Sequence, residues 1–222
     1  MKKVLFAILL MTSISCFSQA KLGIQGGYNL AVFGNPNNNN LVNYTGISSF
    51  HIGITDEEAI SKHVFFQTGL SYEGKGSHTS KTSFALDGST TDTKLGYLEL
   101  PLDLGTRIKL GNKVKALAGA GLYGAIGITG SEKGTYQSST GTTSPVNNKV
   151  SFTNNPTNNT TNETYVRPFD PGYNVFAGVE WEKFQLTADF SEGFKGVYPT
   201  TGSDKYNNEV LSFSLVYFFK TK

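Results

Sequence analysis

The sequence predicts an all-β protein: a closed antiparallel up-and-down transmembrane β-barrel of about eight strands. Three observations carry that prediction. Apolar and polar side chains alternate with period two in about eight separate segments, as strands with two unlike faces require. The connections between these segments switch regularly from long to short. Beyond the N-terminal segment, no apolar run approaches the roughly 18 residues of a membrane helix, so a membrane protein of this sequence has to cross as strands.

Met1-Lys2-Lys3, an apolar run over 4–11 and a small, polar stretch to Ala20 have the three parts of a secretory signal peptide, expected over 1–20 with cleavage near Gln19 or Ala20. Cys16, the only cysteine, leaves lipoprotein processing open, although Ser13 stands where that motif usually carries leucine. Without Lys2 and Lys3 the 19 basic and 17 acidic residues become 17 of each. The remaining chain is formally neutral and carries no nucleic-acid footprint. Without Cys16, the remainder has no disulfide framework, thiolate metal site or thiol nucleophile. Charged residues at 16%, aromatics at 13% and 25 glycines fit a Gly- and aromatic-rich β structure. Residues 21–222 are expected to form one barrel domain.

The first strand is expected over about 22–33, with Leu22, Ile24, Tyr28, Leu30 and Val32 facing one way and Gly23, Gln25, Gly27 and Asn29 the other. The second, about 46–55, sets Phe50, Ile52 and Ile54 against Ser49, His51 and Gly53; the third, about 63–74, sets Val64, Phe66, Leu70 and Tyr72 against Gln67, Gly69, Ser71 and Glu73. In the fourth, about 94–108, Leu98, Leu100, Leu102 and Leu104 oppose Tyr97, Glu99, Asp103, Gly105 and Arg107, a pattern no amphipathic helix produces. The fifth, about 113–128, is Ala- and Gly-rich with ambiguous faces. The sixth, about 173–182, sets Tyr173, Val175, Ala177, Val179 and Trp181 against Asn174, Gly178 and Glu180. The seventh, about 184–195, and the eighth, about 210–219, follow the same rule, with Asp189 on the polar face of the seventh.

Long connections are expected at about 34–45, 75–93, 129–172 and 196–209, and short ones at about 56–62, 110–112 and 182–183. All long loops then lie at one end of the barrel and both termini at the other, the outer-membrane arrangement with long loops outside. The Ser-, Thr-, Asn- and Pro-rich composition of 138–168 suits an exposed rim. A soluble sandwich shares the alternation, so the signal peptide, the long-and-short alternation of the connections and the charges on the polar face together decide between the two. Glu73, Glu99, Asp103, Arg107, Glu180 and Asp189 would face a barrel's lumen, where opposite charges pair, while the apolar face meets outer-membrane lipid. An eight-stranded interior is filled by its own side chains, so these groups are expected to form a salt-bridged plug.

Leu22-Gly23-Ile24-Gln25-Gly26-Gly27-Tyr28-Asn29-Leu30 after the signal, Gln67-Thr68-Gly69-Leu70-Ser71-Tyr72, the most specific stretch Tyr97-Leu98-Glu99-Leu100-Pro101-Leu102, and the Gly-rich 119–124 resemble the PorT-like outer-membrane β-barrel proteins of Bacteroidota. The resemblance spans essentially the whole chain after the signal. It implies residence in the cell outer membrane; some members of that family serve type IX protein secretion, and it brings no catalytic motif.

No cofactor or metal is expected. His51, His63 and His78 are scattered without ligand spacing. His78 beside Ser77, Thr79 and Ser80 could activate a hydroxyl nucleophile, but no orienting carboxylate is fixed by the pattern. Pro101 lacks an amide donor, which predicts a bulge or irregularity in the fourth strand. Tyr72, Tyr173, Trp181, Phe184, Phe194 and Tyr217 suit aromatic girdles. The expected function is a non-enzymatic barrel whose loops bind other envelope or secretion proteins. A lipid-modifying barrel enzyme and a soluble periplasmic lipocalin-like domain stand as alternatives.

Overall fold

The structure is a computed structural model that describes residues 20–34, 42–81, 88–138, 140–156, 162–199 and 206–219. The expected signal peptide, apart from Ala20, lies outside the described residues, and so does Cys16. The strands are β1 (Lys21–Gly34), β2 (Val42–Thr45), β3 (Ile47–Ala59), β4 (Val64–Lys81), β5 (Ser89–Lys109) and β6 (Val114–Gln137), followed by β7 (Thr143–Phe152), β8 (Glu163–Val166), β9 (Phe169–Trp181), β10 (Phe184–Gly193) and β11 (Asn207–Phe218).

Antiparallel pairing runs β1-β3-β4-β5-β6-β9-β10-β11 and returns from β11 to β1, so eight strands close a ring with no free edge. Closure is what lets strands cross lipid, because every backbone N–H and C=O within the bilayer needs a partner. All eight expected strands are present. On β5, Leu98, Leu100, Leu102 and Leu104 are exposed on the outside and Tyr97, Asp103 and Arg107 are buried inside. The faces of β6, ambiguous in the sequence, resolve with Leu122, Ile126 and Ile128 outward and Leu117, Tyr123 and Ala125 inward.

The outward-facing residues of β5 stay apolar from Leu98 to Ile108 apart from Thr106. Ten residue steps of about 3.4 Å, tilted by about 40°, rise about 25 Å, the height of an outer-membrane apolar band. Aromatics mark its rims. Trp181, Phe184 and Tyr217 form a run at the short-turn end, with ring centroids 6.3 Å and 5.2 Å apart. Phe50 and Tyr72, 5.3 Å apart, and Tyr173 and Phe194, 6.0 Å apart, mark the other rim.

Much of what the sequence reads as long loop is strand. β4 continues to Lys81 and β5 begins at Ser89, so 75–93 is largely a hairpin that prolongs the barrel wall. β6 runs on to Gln137 and pairs with β7, which pairs in parallel with β8 inside the expected 129–172 loop. Most residues there are polar and the few apolar ones, such as Val150, Phe152 and Val166, are too sparse to set up a sustained period-two signal. Around Pro101 the β4–β5 ladder lacks the pairs opposite Gly69 and Leu70, yet its register is the same on either side. The register shift on β5 falls instead between Gly96 and Tyr97, opposite β6.

Candidate functional site: a lumen closed at both ends

The inward faces of the ring fill the lumen in layers. Nearest the termini, the Arg107 guanidinium sits between two carboxylates, with Nη2 2.6 Å from Glu57 Oε2 and Nη1 donating to Glu180 Oε2 at 2.9 Å. Lys21 adds contacts of 2.9 Å to Glu57 and 3.3 Å to Glu180, and Lys115 reaches Glu180 at 2.6 Å. Five charged side chains from five strands thus neutralise one another where a lone buried charge would be costly. Arg107 also stacks on Phe65, 4.3 Å from the ring centroid, and Phe65, Phe176 and Leu117 form an apolar disc above it.

Over that disc lies a polar cavity of about 80 Å³, lined by His51, Glu73, Glu99, Asp103 and Asp189 among others. It has room for a few waters. Asn174 hydrogen-bonds both Asp103 and Asp189. Asn29 organises the opposite side: its Nδ2 donates to Glu73 at 3.0 Å, its Oδ1 accepts from Ser212 at 2.9 Å, and it meets His51 Nδ1 at 2.6 Å. Lys75 closes the cavity from above. It is ion-paired with Glu99 at 2.8 Å and Asp170 at 3.1 Å and lies over the Tyr123 ring, 4.2 Å from its centroid. Asn208 donates to the same Asp170 carboxylate at 2.9 Å.

The outer mouth is capped by an apolar cluster of Phe33, Leu95, Tyr97, Tyr123, Ala125, Val150, Val166 and Val197, with Tyr44, Phe152, Tyr198 and Tyr206 packed against it. Strand walls and rim segments contribute alike: Tyr97 meets Phe152 edge-on at 5.8 Å, and Phe33 meets Tyr198 edge-on at 5.9 Å. Burial among these rings favours the neutral phenol and pushes the Tyr198 hydroxyl up to about 12, with nearby Glu132 adding to the shift and a hydrogen bond with Thr93 opposing it.

The six charged residues expected to share one plug are all inside the barrel but occupy two layers. Arg107 and Glu180 belong to the lower ion-pair layer, while Glu73, Glu99, Asp103 and Asp189 line the cavity. Most partners of the plug escaped sequence reasoning. Glu57 lies past the expected end of its strand, Lys21 before the start of one, and Lys75 and Asp170 fall in expected loops. Strand extension was the missing signal, since each lies on the inward parity of its strand once the strand is drawn longer.

His78 and the hydroxyls beside it do not assemble a nucleophile. The structure supplies the carboxylate the sequence could not: Asp92, opposite His78 in the β4–β5 hairpin, meets His78 Nδ1 at 2.5 Å. Ser77, however, is buried on the other face and donates to the carbonyl oxygens of Thr45 and His78. Among the described residues, no group of three or more His, Cys, Asp or Glu side chains is arranged to hold a metal ion.

Residues 17–198 match the family described as outer membrane protein beta-barrel domain. Among solved structures, the chain is similar to Ail, the attachment invasion locus protein of Yersinia pestis. The two are 10% identical, with a TM-score of 0.40 over 90% of this chain and 99% of that one. It is also similar to Neisserial surface protein A (NspA), at 14% identity and a TM-score of 0.42 over 91% of this chain and all of that one. No curated protein sequence matches it.

Proposed function

This chain belongs to the outer membrane protein beta-barrel domain family and resides in the outer membrane, and from that premise we propose a non-enzymatic role. The barrel serves as a closed stake in the membrane, and the sheet that rises above it is a platform for another envelope or secretion protein. The observation that carries this reading is the contrast between a sealed lumen and an elaborated rim. Arg107 with its carboxylates closes one end, the aromatic cap closes the other, and β4–β8 carry backbone pairing well beyond the apolar band. Within the family we assign the chain to the PorT-like barrels of Bacteroidota, on the strength of Tyr97-Leu98-Glu99-Leu100-Pro101-Leu102. Residues 1–20 act as the cleaved signal.

Two measurements test the proposal. In planar bilayers the purified protein gives no stepwise conductance; discrete open-channel steps would sink the sealed-stake reading. A photo-crosslinker at Tyr136, exposed on the platform, captures one discrete envelope protein in intact cells, whereas the same probe at Lys113 in a short turn captures none. Capture of the same product from both positions would remove the platform from the argument.

A further inference from the structure

β4 does not stay in the plane of the wall. Its pairing with β3 ends at His51↔Glu73 and its pairing with β2 begins only at Thr45↔His78. Between those points Gly74, Lys75, Gly76 and Ser77 are all buried, and Asn29 Nδ2 reaches in from β1 to donate to the Gly74 carbonyl oxygen at 3.2 Å. The strand leans into the lumen there. Gly76, at φ +142, adopts a backbone conformation that side-chain-bearing residues rarely take, and a Cβ on it would strike the Thr93 carbonyl oxygen.

On the outside, the same inward lean leaves a recess of about 380 Å³, lined by Ser48, Ser49, Phe50, Tyr72, Lys94 and Ser131 among others. Its height follows from β5. The outward residue Leu98 belongs to the apolar band, so Gly96 and Lys94, the next outward positions along the strand, lie just above it, where lipid headgroups sit. The Phe50–Tyr72 pair forms the apolar side of the recess. Lys94 is exposed, and among the described residues it makes no ion pair. The cross-strand row Lys94–Ser131–Lys149 puts a second exposed lysine on the same face, with Glu163 beyond it. Asp92, two residues from Lys94, is engaged by His78.

We propose that this recess binds the phosphate-bearing headgroup of a lipid in the outer leaflet. Lys94 supplies the charge, the Ser49 and Ser131 hydroxyls donate hydrogen bonds, and Phe50 and Tyr72 receive the first carbons of the acyl chains. A recess open sideways to the bilayer, cationic above and aromatic below, matches a molecule that is anionic above and apolar below. The inference uses the membrane placement of the barrel and does not depend on the platform reading.

Native mass spectrometry of the full chain in detergent tests it, with three probes: dioleoyl phosphatidic acid, dioleoyl phosphatidylcholine, and inorganic phosphate alone. The wild type is expected to retain one phosphatidic acid in preference to phosphatidylcholine, and no inorganic phosphate. Lys94→Gln lowers that retention about fivefold, the factor corresponding to about 1 kcal/mol per basic side chain at a charged membrane surface. Ser131→Phe, which fills the recess beside Lys94 while leaving its charge in place, lowers it as well. Lys113→Gln, in an exposed turn at the opposite end, changes nothing. Equal retention by Lys94→Gln and wild type overturns the proposal. So does an equal loss in Lys113→Gln, which would mean unspecific charge attraction, and so does binding of inorganic phosphate as strong as that of the lipid.

Discussion

The lower end of the lumen is closed by charge and the upper end by aromatic rings. At the lower end the connections are short: residues 60–63, 110–113 and 182–183 bring almost no chain that could fold back over the opening. The plug is therefore assembled from strand side chains alone, and Arg107, Lys21 and Lys115 answer Glu57 and Glu180 across the ring. At the upper end Phe152, Val166, Val197 and Tyr206 arrive from the long rim segments and cover Tyr97 and Tyr123. A rim with enough chain excludes water with apolar surface. A rim without it relies on ion pairs, which specify their partners more narrowly and tolerate loss of a partner worse.

The sharpest way to break this comparison is Arg107→Ala. It leaves the buried Glu57 and Glu180 with only the flanking lysines, and is expected to cost about 3–5 kcal/mol. The temperature at which the folded band converts to the unfolded band on SDS gels should fall accordingly, while probes of the upper cap stay native until that point. If conversion is unshifted, the lower plug is not structural. Next in size is Gly105→Ala. Its added methyl would run into the Phe65 ring beneath the cavity, an overpacking cost of about 1–3 kcal/mol. Phe65→Leu in the same chain should recover part of it, and absence of recovery would move the clash elsewhere.

The cap responds to alkaline pH through a buried phenol. Because burial raises the Tyr198 hydroxyl in the folded state, its contribution to the cap is complete below the unfolded value of about 10 and drains away as pH rises through about 12. Hydrogen exchange over 143–166 should accelerate in that window ahead of any loss of the barrel, and Tyr198→Phe should abolish the dependence. The smallest effect belongs to the exposed Lys113–Glu182 pair, 2.7 Å apart. The Lys113 ammonium is raised by its hydrogen bond with Glu182 and by the charge of that carboxylate, yet water screens both groups. Lys113→Ala should leave the gel transition where it was, and a clear shift would show that exposed turns hold the lower end after all.

The strands that cross lipid could be read directly, because lipid on one face and a polar lumen on the other impose period two on every residue between them. Leu98, Leu100, Leu102 and Leu104 against Tyr97, Asp103 and Arg107 needed no structure to be sorted. Above the band most residues are polar, the pattern fades, and β7, β8 and the outer ends of β4, β5 and β6 read as loop. The site divides along the same line. The charges on crossing strands were visible, but not Lys75 or Asp170, which lie where the signal had faded, nor Asp92 as the partner of His78, which depends on hairpin register.

The sequence by itself therefore determined the class of fold, the ring of crossing strands and, for every crossing strand except the Ala- and Gly-rich β6, which face meets lipid, since these follow from local alternation and from the need to satisfy the backbone in a bilayer. Tertiary structure alone decided which charge meets which, how the acidic side chains divide between plug and cavity, and where β4 leaves the wall. Those outcomes depend on register between strands far apart in the chain and on side chains meeting across the lumen, and neither distance is written in the order of the residues.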